Sequence, residues 1–195
     1  MKSPLCSIIG CGRIAFLLEQ DRLRRKPCTH FGGALSAGLE ISSACDTNPE
    51  RLALFRKASG INEDACFTDY RKLFASARPD IAIISTWTDT HSKIASAAID
   101  SGVKLIVLEK PVSHSLIESA ELISNAGRHG ATVIVNHERR FDSRYRKVRN
   151  MLEQGIIGRV ISVNARMHTG RYRGGSSPLE GAARCCMTAP ILSTC

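Results

Sequence analysis

The chain has 195 residues, of which 43% are hydrophobic; that suits one large domain or one and a half, and no apolar run approaches the ~20 residues needed to cross a bilayer. Its net charge of +9 raises nucleic-acid binding, but the basic residues gather in Arg22 to Lys26 and in an expected helix from Arg139 to Arg149 that follows no nucleic-acid-binding motif. That helix reads as a solvated face, or as one whose acidic partner surface is missing. Eight cysteines include no C-x-x-C pair, so no metal is expected; Cys6, Cys11, Cys45 and Cys66 read as small apolar fillers in a reducing, cytoplasmic setting.

The chain enters its first predicted strand, Leu5 to Ile9, after a single lysine, so no signal peptide is expected. Gly10-Cys-Gly-Arg-Ile-Ala15 comes next, a G-x-G-x-x-A pattern on a strand-to-helix turn. Gly10 can take the angles of the tight turn, Gly12 lets a pyrophosphate approach the main chain, and Ala15 lets the helix lie close to the strand. The turn through Arg13 and Ile14 would offer backbone N–H groups and a partial positive charge. Small residues at a strand end also occur as plain turn chemistry, so the rest of the chain has to decide.

A helix from about Arg13 is expected to be interrupted at Asp21 to Thr29, a charged segment containing Pro27. A second helix through Ala34 to Gly38 leads to a strand from Leu39 to Cys45, which ends at Asp46. An acid there can accept both hydroxyls of an adenosine ribose and would repel a 2′-phosphate, and no basic residue stands at 47 or 48, which favours NAD over NADP. The competing reading of Asp46 is a helix cap, but Asn48, directly before Pro49 and a helix from Glu50 to Ala58, suits the cap better. The separation of Asp46 from Gly10 exceeds the usual ~20 residues, and the interrupting segment accounts for the excess.

Short strands at Ala65 to Thr68, Asp80 to Ser85, Lys104 to Glu109 and Thr132 to Asn136 alternate with helices to Ala77, from Lys93 to Ser101 and from Ser115 to Gly127. Apolar strands alternating with helices predict an α/β fold, a doubly wound parallel sheet covered on both faces. Ligands of such sheets bind beyond the carboxyl ends of the strands, which gathers Gly10, Asp46, Ser85, Thr86, Glu109, Lys110, Pro111 and Asn136 at one crevice. Lys110, beside Glu109 and before a proline that can take a cis bond, could donate a proton to a carbonyl or hold an alcohol as its proton leaves. Taken alone, Glu-Lys-Pro would read as a surface lysine after a strand.

Gly10-Cys-Gly-Arg-Ile-Ala, Asp46-Thr-Asn-Pro-Glu-Arg51, Phe67-Thr-Asp-Tyr70, His91 and Glu109-Lys-Pro111 stand in the order found in Gfo/Idh/MocA oxidoreductases, and the chain resembles that family over about residues 5 to 170. The resemblance implies a Rossmann domain followed by an α+β domain, and hydride transfer between NAD and a sugar, polyol or inositol-like substrate. It implies that Gly10, Gly12, Arg13, Ile14 and Ala15 cradle the pyrophosphate and that Asp46 holds the ribose. Ser85, Thr86 and His91 would line the cofactor path, with Glu109 near the nicotinamide and Lys110 as the catalytic lysine. Asn136 and Arg140 mark the crossover between domains, where Arg140 caps the ligand or only pairs across the crossover. Small-molecule substrates and a homo-oligomeric parent are implied, with neither nucleic acid nor membrane as partner.

The expected division is a dinucleotide-binding domain over 1–138, the start of a second domain over 139–180 and a foreign-looking tail over 181–195. The second part is expected to hold a helix from Ser143 to Glu153 and a strand from Val160 to Met167. The family would continue for roughly another 150 residues, a length carried over from the resemblance. Cys185, Cys186 and Met187 require TGY, TGY and ATG; triplets starting one nucleotide earlier force leucine across Cys185 and aspartate across Met187. They permit L-L-H-D-G-T-H-L-V-D over Arg184 to Ser193, similar to the family's D-x-G-x-H-x-x-D block, so a frameshift and impaired catalysis are expected. The competing classes are a non-catalytic dinucleotide-binding module and, for the tail, a vicinal cysteine pair.

Overall fold

The computed structural model describes residues 3–164. Its strands are β1 (Leu5–Ile9), β2 (Glu40–Cys45), β3 (Cys66–Phe67), β4 (Ile81–Ile84), β5 (Leu105–Leu108) and β6 (Thr132–Val135). They form one parallel sheet in the order β3-β2-β1-β4-β5-β6, with Ile9 opposite both Cys45 and Ile84 and with Leu108 opposite Val135. The order turns back between β1 and β4, and that is where a doubly wound sheet opens a crevice beyond its carboxyl ends. All six strands lie within two residues of the limits that the sequence predicts.

The helices are α1 (His30–Ser36), α2 (Pro49–Ser59), α3 (Tyr70–Ala77), α4 (Thr88–Asp100), α5 (Leu116–His129) and α6 (Ser143–Glu153). Side chains that cannot sit comfortably inside helices start five of them: Thr29, Asn48, Asp69, Ser115 and Asp142 each accept a backbone N–H from the first turn. Asn48 accepts from Arg51 N at 3.0 Å, so the cap of α2 belongs to Asn48 and not to Asp46. α4 begins at Thr88 rather than at the expected Lys93, because its first turn carries hydroxyls and a histidine instead of an apolar stripe.

Strand alternation sends side chains to two cores. Ile9, Ile84, Ile106 and Leu108 pack with Leu73 of α3, Ile94 and Ile99 of α4 and Leu122 of α5. Cys6, Ile8, Ile81 and Ile83 face the other way, onto Phe16, Ala34, Leu52 and Phe55. Each fully buried large side chain contributes roughly 1.5–3 kcal/mol, so these two layers fix the register that aligns the strand ends. Burial pushes the thiols of Cys6 and Cys45 up to about 12, as expected of inert fillers.

The helix expected from Arg13 is corrected. The chain makes one irregular turn, Phe16 N–H to Gly12 O and Leu18 N–H to Arg13 O, then a short 3-10 segment, Leu17–Gln20, and leaves the helix path. It returns at α1, where His30 N–H donates to Ile14 O at 3.1 Å and Phe31 N–H to Ala15 O at 2.9 Å. α1 is therefore the continuation of the glycine-turn helix, and the interrupting segment is looped out of it. Glu19 closes the loop: its carboxylate accepts from Thr29 Oγ1 at 2.6 Å and Cys28 N at 3.1 Å. Partial burial opposes the charge on Glu19, but the bonds from Thr29 and Cys28 hold its carboxyl below the usual range. Phe16 and Phe31 both stand edge-on to Phe55, at 5.2 and 5.3 Å, and so join the two pieces through α2.

The chain divides into two compact units, the first ending at His137 and the second beginning at Glu138. In the second, a 3-10 turn over Glu138–Phe141 holds Arg140, and α6 has the limits expected of it. Residues 160–164 carry no strand, which corrects the start of the strand expected at 160–167. Its remainder, the tail at 181–195 and the shifted reading over 184–193 lie outside the described residues. Among the described residues no helix is long and apolar enough to cross a membrane.

Candidate functional site

The crevice begins at the glycine turn. Gly10 has φ +90°, and a Cβ there would lie 2.8 Å from the backbone of Ser85 and Thr86, so the residue is excluded from bearing a side chain twice over. Ser85 closes this junction, donating its hydroxyl to Gly10 O at 2.9 Å. A Cβ on Gly12 would meet nothing within 4 Å, which leaves open space over the turn. Ala15 is fully buried against the strand, while Arg13 and Ile14 are exposed beside it.

Asp46, at the end of β2, is 6% exposed. Its Oδ2 accepts from Cys11 N inside the glycine turn at 2.7 Å, and its Oδ1 accepts from Asn48 N at 2.8 Å. The carboxylate thus locks the glycine turn, at the end of β1, to the end of β2. Two oxygens offer about four lone-pair positions, so acceptor capacity remains for two ligand hydroxyls. Arg51 Nη1 stands 3.9 Å from Oδ2.

On the other side of the switch point, His91 lies in the first turn of α4 and is 1% exposed. Its Nδ1 is 2.7 Å from the Pro111 carbonyl oxygen and its Nε2 is 3.1 Å from that of Thr86. The ring thereby bridges the segments after β4 and β5 from behind, rather than presenting a free edge to the crevice.

Glu109 lies directly after β5 and is 8% exposed. His30 Nε2, from α1, donates to its Oε1 at 2.9 Å; Asn136 Nδ2, after β6, donates to the same oxygen at 2.5 Å; Lys110 N–H approaches Oε2 at 3.3 Å. Burial works to raise the Glu109 pKa, but the hydrogen bonds from His30 and Asn136 outweigh it and hold the carboxyl at about 2. Lys110 precedes a cis bond to Pro111. Its side chain is exposed and makes no salt bridge to Glu109.

Gly10, Gly12, Asp46, Ser85, Thr86, Glu109, Lys110 and Asn136 thus stand at the carboxyl ends of neighbouring strands, and His91 braces two of those ends. Arg140 belongs to the second unit. His30 stands outside every motif of the sequence; only its place in the looped-out helix, one turn after Ile14 and Ala15, could have signalled it. Among the described residues no group of three or more His, Cys, Asp or Glu gathers to hold a metal ion.

A family model, GFO_IDH_MocA, described as an oxidoreductase family with an NAD-binding Rossmann fold, matches residues 5–137. The uncharacterized oxidoreductase YrbE of Bacillus subtilis is 31% identical over 157 residues, covering 80% of this chain and 42% of that protein. The inositol 2-dehydrogenase/D-chiro-inositol 3-dehydrogenase of Shouchella clausii is 26% identical over 159 residues, again 80% of this chain and 42% of the relative. Scyllo-inositol dehydrogenase from Lactobacillus casei, solved with NAD(H) and scyllo-inositol, superposes with a TM-score of 0.67 at 20% identity, over 82% of this chain and 44% of that one. The chain spans about two fifths of the length of the curated relatives it matches.

Proposed function

The chain belongs to the Gfo/Idh/MocA oxidoreductase family with its NAD-binding Rossmann fold, and on that footing we propose that its crevice binds NAD(H) for hydride transfer to or from a sugar, polyol or inositol-like substrate. The observation that carries the reading is the bond from Cys11 N to Asp46 Oδ2, which sets a ribose-binding acid directly against a turn left open at Gly12. That open turn accepts a pyrophosphate without steric cost, and the remaining lone pairs of Asp46 accept ribose hydroxyls. A 2′-phosphate would face the Asp46 carboxylate with no basic residue at 47 or 48, which supports NAD over NADP.

When bound, the nicotinamide supplies the hydride acceptor or donor. Lys110 then exchanges the accompanying proton: as amine it takes the proton of the substrate hydroxyl, and as ammonium it returns a proton to the carbonyl oxygen in reverse. Its exposed side chain, unpaired with Glu109, is available for that contact. Ser85 supports the path between pyrophosphate and nicotinamide by tying the end of β4 to the glycine turn, and His91 by holding the segments after β4 and β5 together through Thr86 and Pro111. The inositol dehydrogenase relatives support a polyol substrate class.

Trp87, the one tryptophan of the chain, is 76% exposed directly after Thr86 and reports on the test. NADH is expected to quench its fluorescence saturably, and Asp46→Ala to weaken that binding about tenfold or more, since a charged acceptor of ligand hydroxyls is lost. Turnover of inositols or sugars with NAD is then followed, with Lys110→Met expected to abolish it and leave NADH affinity in place. Binding without any turnover would favour a dinucleotide-binding module; no NADH binding would defeat the proposal.

A further inference from the structure

We infer that His30 is a positioning residue for the nicotinamide end of the crevice, where it holds the Glu109 carboxylate in place and apart from the Lys110 ammonium. The inference rests on the dinucleotide reading above and assigns it a residue that the glycine-turn and Glu-Lys-Pro patterns do not contain.

The geometry begins with the looped-out helix. The bonds from His30 N–H to Ile14 O and Phe31 N–H to Ala15 O put His30 one helical turn beyond the glycine turn. From there its side chain, 8% exposed, reaches a carboxylate that is 10% exposed at the end of β5. A carboxylate so buried needs compensating donors, and its Oε1 draws them from His30 and Asn136, on elements otherwise separate in sequence. With Glu109 thus occupied, the ammonium of the next residue is left without it as a partner. Removing His30 strips a principal counter-group from a buried charge, which then has to relax toward the adjacent cation, Lys110.

The location predicts a one-sided effect. In a doubly wound sheet the adenosine half of a dinucleotide lies over the first strands, beside Asp46, and the second half lies over strands beyond the switch point, here β4 to β6. The His30 side chain acts on Glu109, a group of that second half, while its bond to the glycine turn is made by the backbone and survives substitution. Its loss should weaken NADH and spare ADP-ribose, which keeps the second ribose but lacks the nicotinamide ring beside which Glu109 is read to stand.

The experiment measures both affinities on the 195-residue chain, NADH by Trp87 quenching and ADP-ribose by calorimetry. His30→Phe is expected to weaken NADH about tenfold and to change ADP-ribose by less than about twofold, the loss of one charge-assisted hydrogen bond. His30→Gln, which keeps an N–H donor, should recover most of the NADH affinity. Where His30→Phe does not fold, His30→Asn, whose amide stops short of the position of Nε2, carries the test and should show the same selective loss. Equal losses for both ligands, or none for NADH, overturn the assignment of His30 alone. A wild-type chain that binds neither ligand overturns the dinucleotide reading and this inference with it.

Discussion

On the β1–β2 side of the crevice the main chain supplies the working surface: Gly10 and Gly12 present backbone with the Cys11 side chain buried, and Asp46 serves the turn by accepting the Cys11 and Asn48 amides. On the β4–β6 side the working surface is made of side chains that brace one another, with His30, Glu109 and Asn136 joined at one carboxylate oxygen and His91 tying Thr86 to Pro111. The first side depends on space and backbone angle: Gly10 tolerates no added atom, and Gly12 keeps the space over the turn open. The second depends on charge balance at a buried carboxylate that His30 and Asn136 hold well below its ordinary range. One crevice is therefore shaped by exclusion at one end and by electrostatic pairing at the other.

The largest expected effect comes from Gly10→Ala. The new Cβ would need a positive φ and would overlap the backbone after β4, so a loss of about 3 kcal/mol or more is expected, read as a lower melting temperature by circular dichroism. A melting temperature within experimental error of wild type would show that this side is not set by exclusion.

Glu109→Gln probes the other end. A carboxylate held at about 2 stabilises the fold above its unfolded value of roughly 4.3, and that contribution fades as pH falls through the folded value. The variant is thus expected to be less stable than wild type by about 3 kcal/mol at neutral pH, with the gap closing between about pH 4 and pH 2. Denaturant melts at several pH values decide it, and a gap that stays constant down to pH 2 would refute the electrostatic account.

The smallest effect separates two neighbours on the first side. Asn48→Ala removes the cap of α2 and is expected to cost about 1 kcal/mol while leaving NADH affinity unchanged. A loss of affinity matching that of Asp46→Ala would mean that the two residues share one task.

The strand limits, the glycine turn, Asp46 and Glu-Lys-Pro are legible in the sequence because each is a local pattern: apolar runs of four or five residues, small residues where the backbone must turn, an acid directly at a strand end. The start of α4 is not, since hydroxyl-rich turns carry no apolar period and Thr88 to Ser92 give none. Nor are the partners of Glu109, because His30 and Asn136 reach that carboxylate from distant parts of the chain.

The sequence by itself determined the fold class and the strand ends at which a ligand can sit, since periodicity and turn chemistry act over a few residues and need no distant partner. Only the tertiary structure decided which side chains meet there. His30 and Glu109 are 79 positions apart, Glu109 and Asn136 are 27 apart, and Cys11 and Asp46 are 35 apart. Those distances along the chain are closed by the register of a parallel sheet and by a helix that leaves its path and resumes, and the bonds exist only once two hydrophobic layers have fixed both.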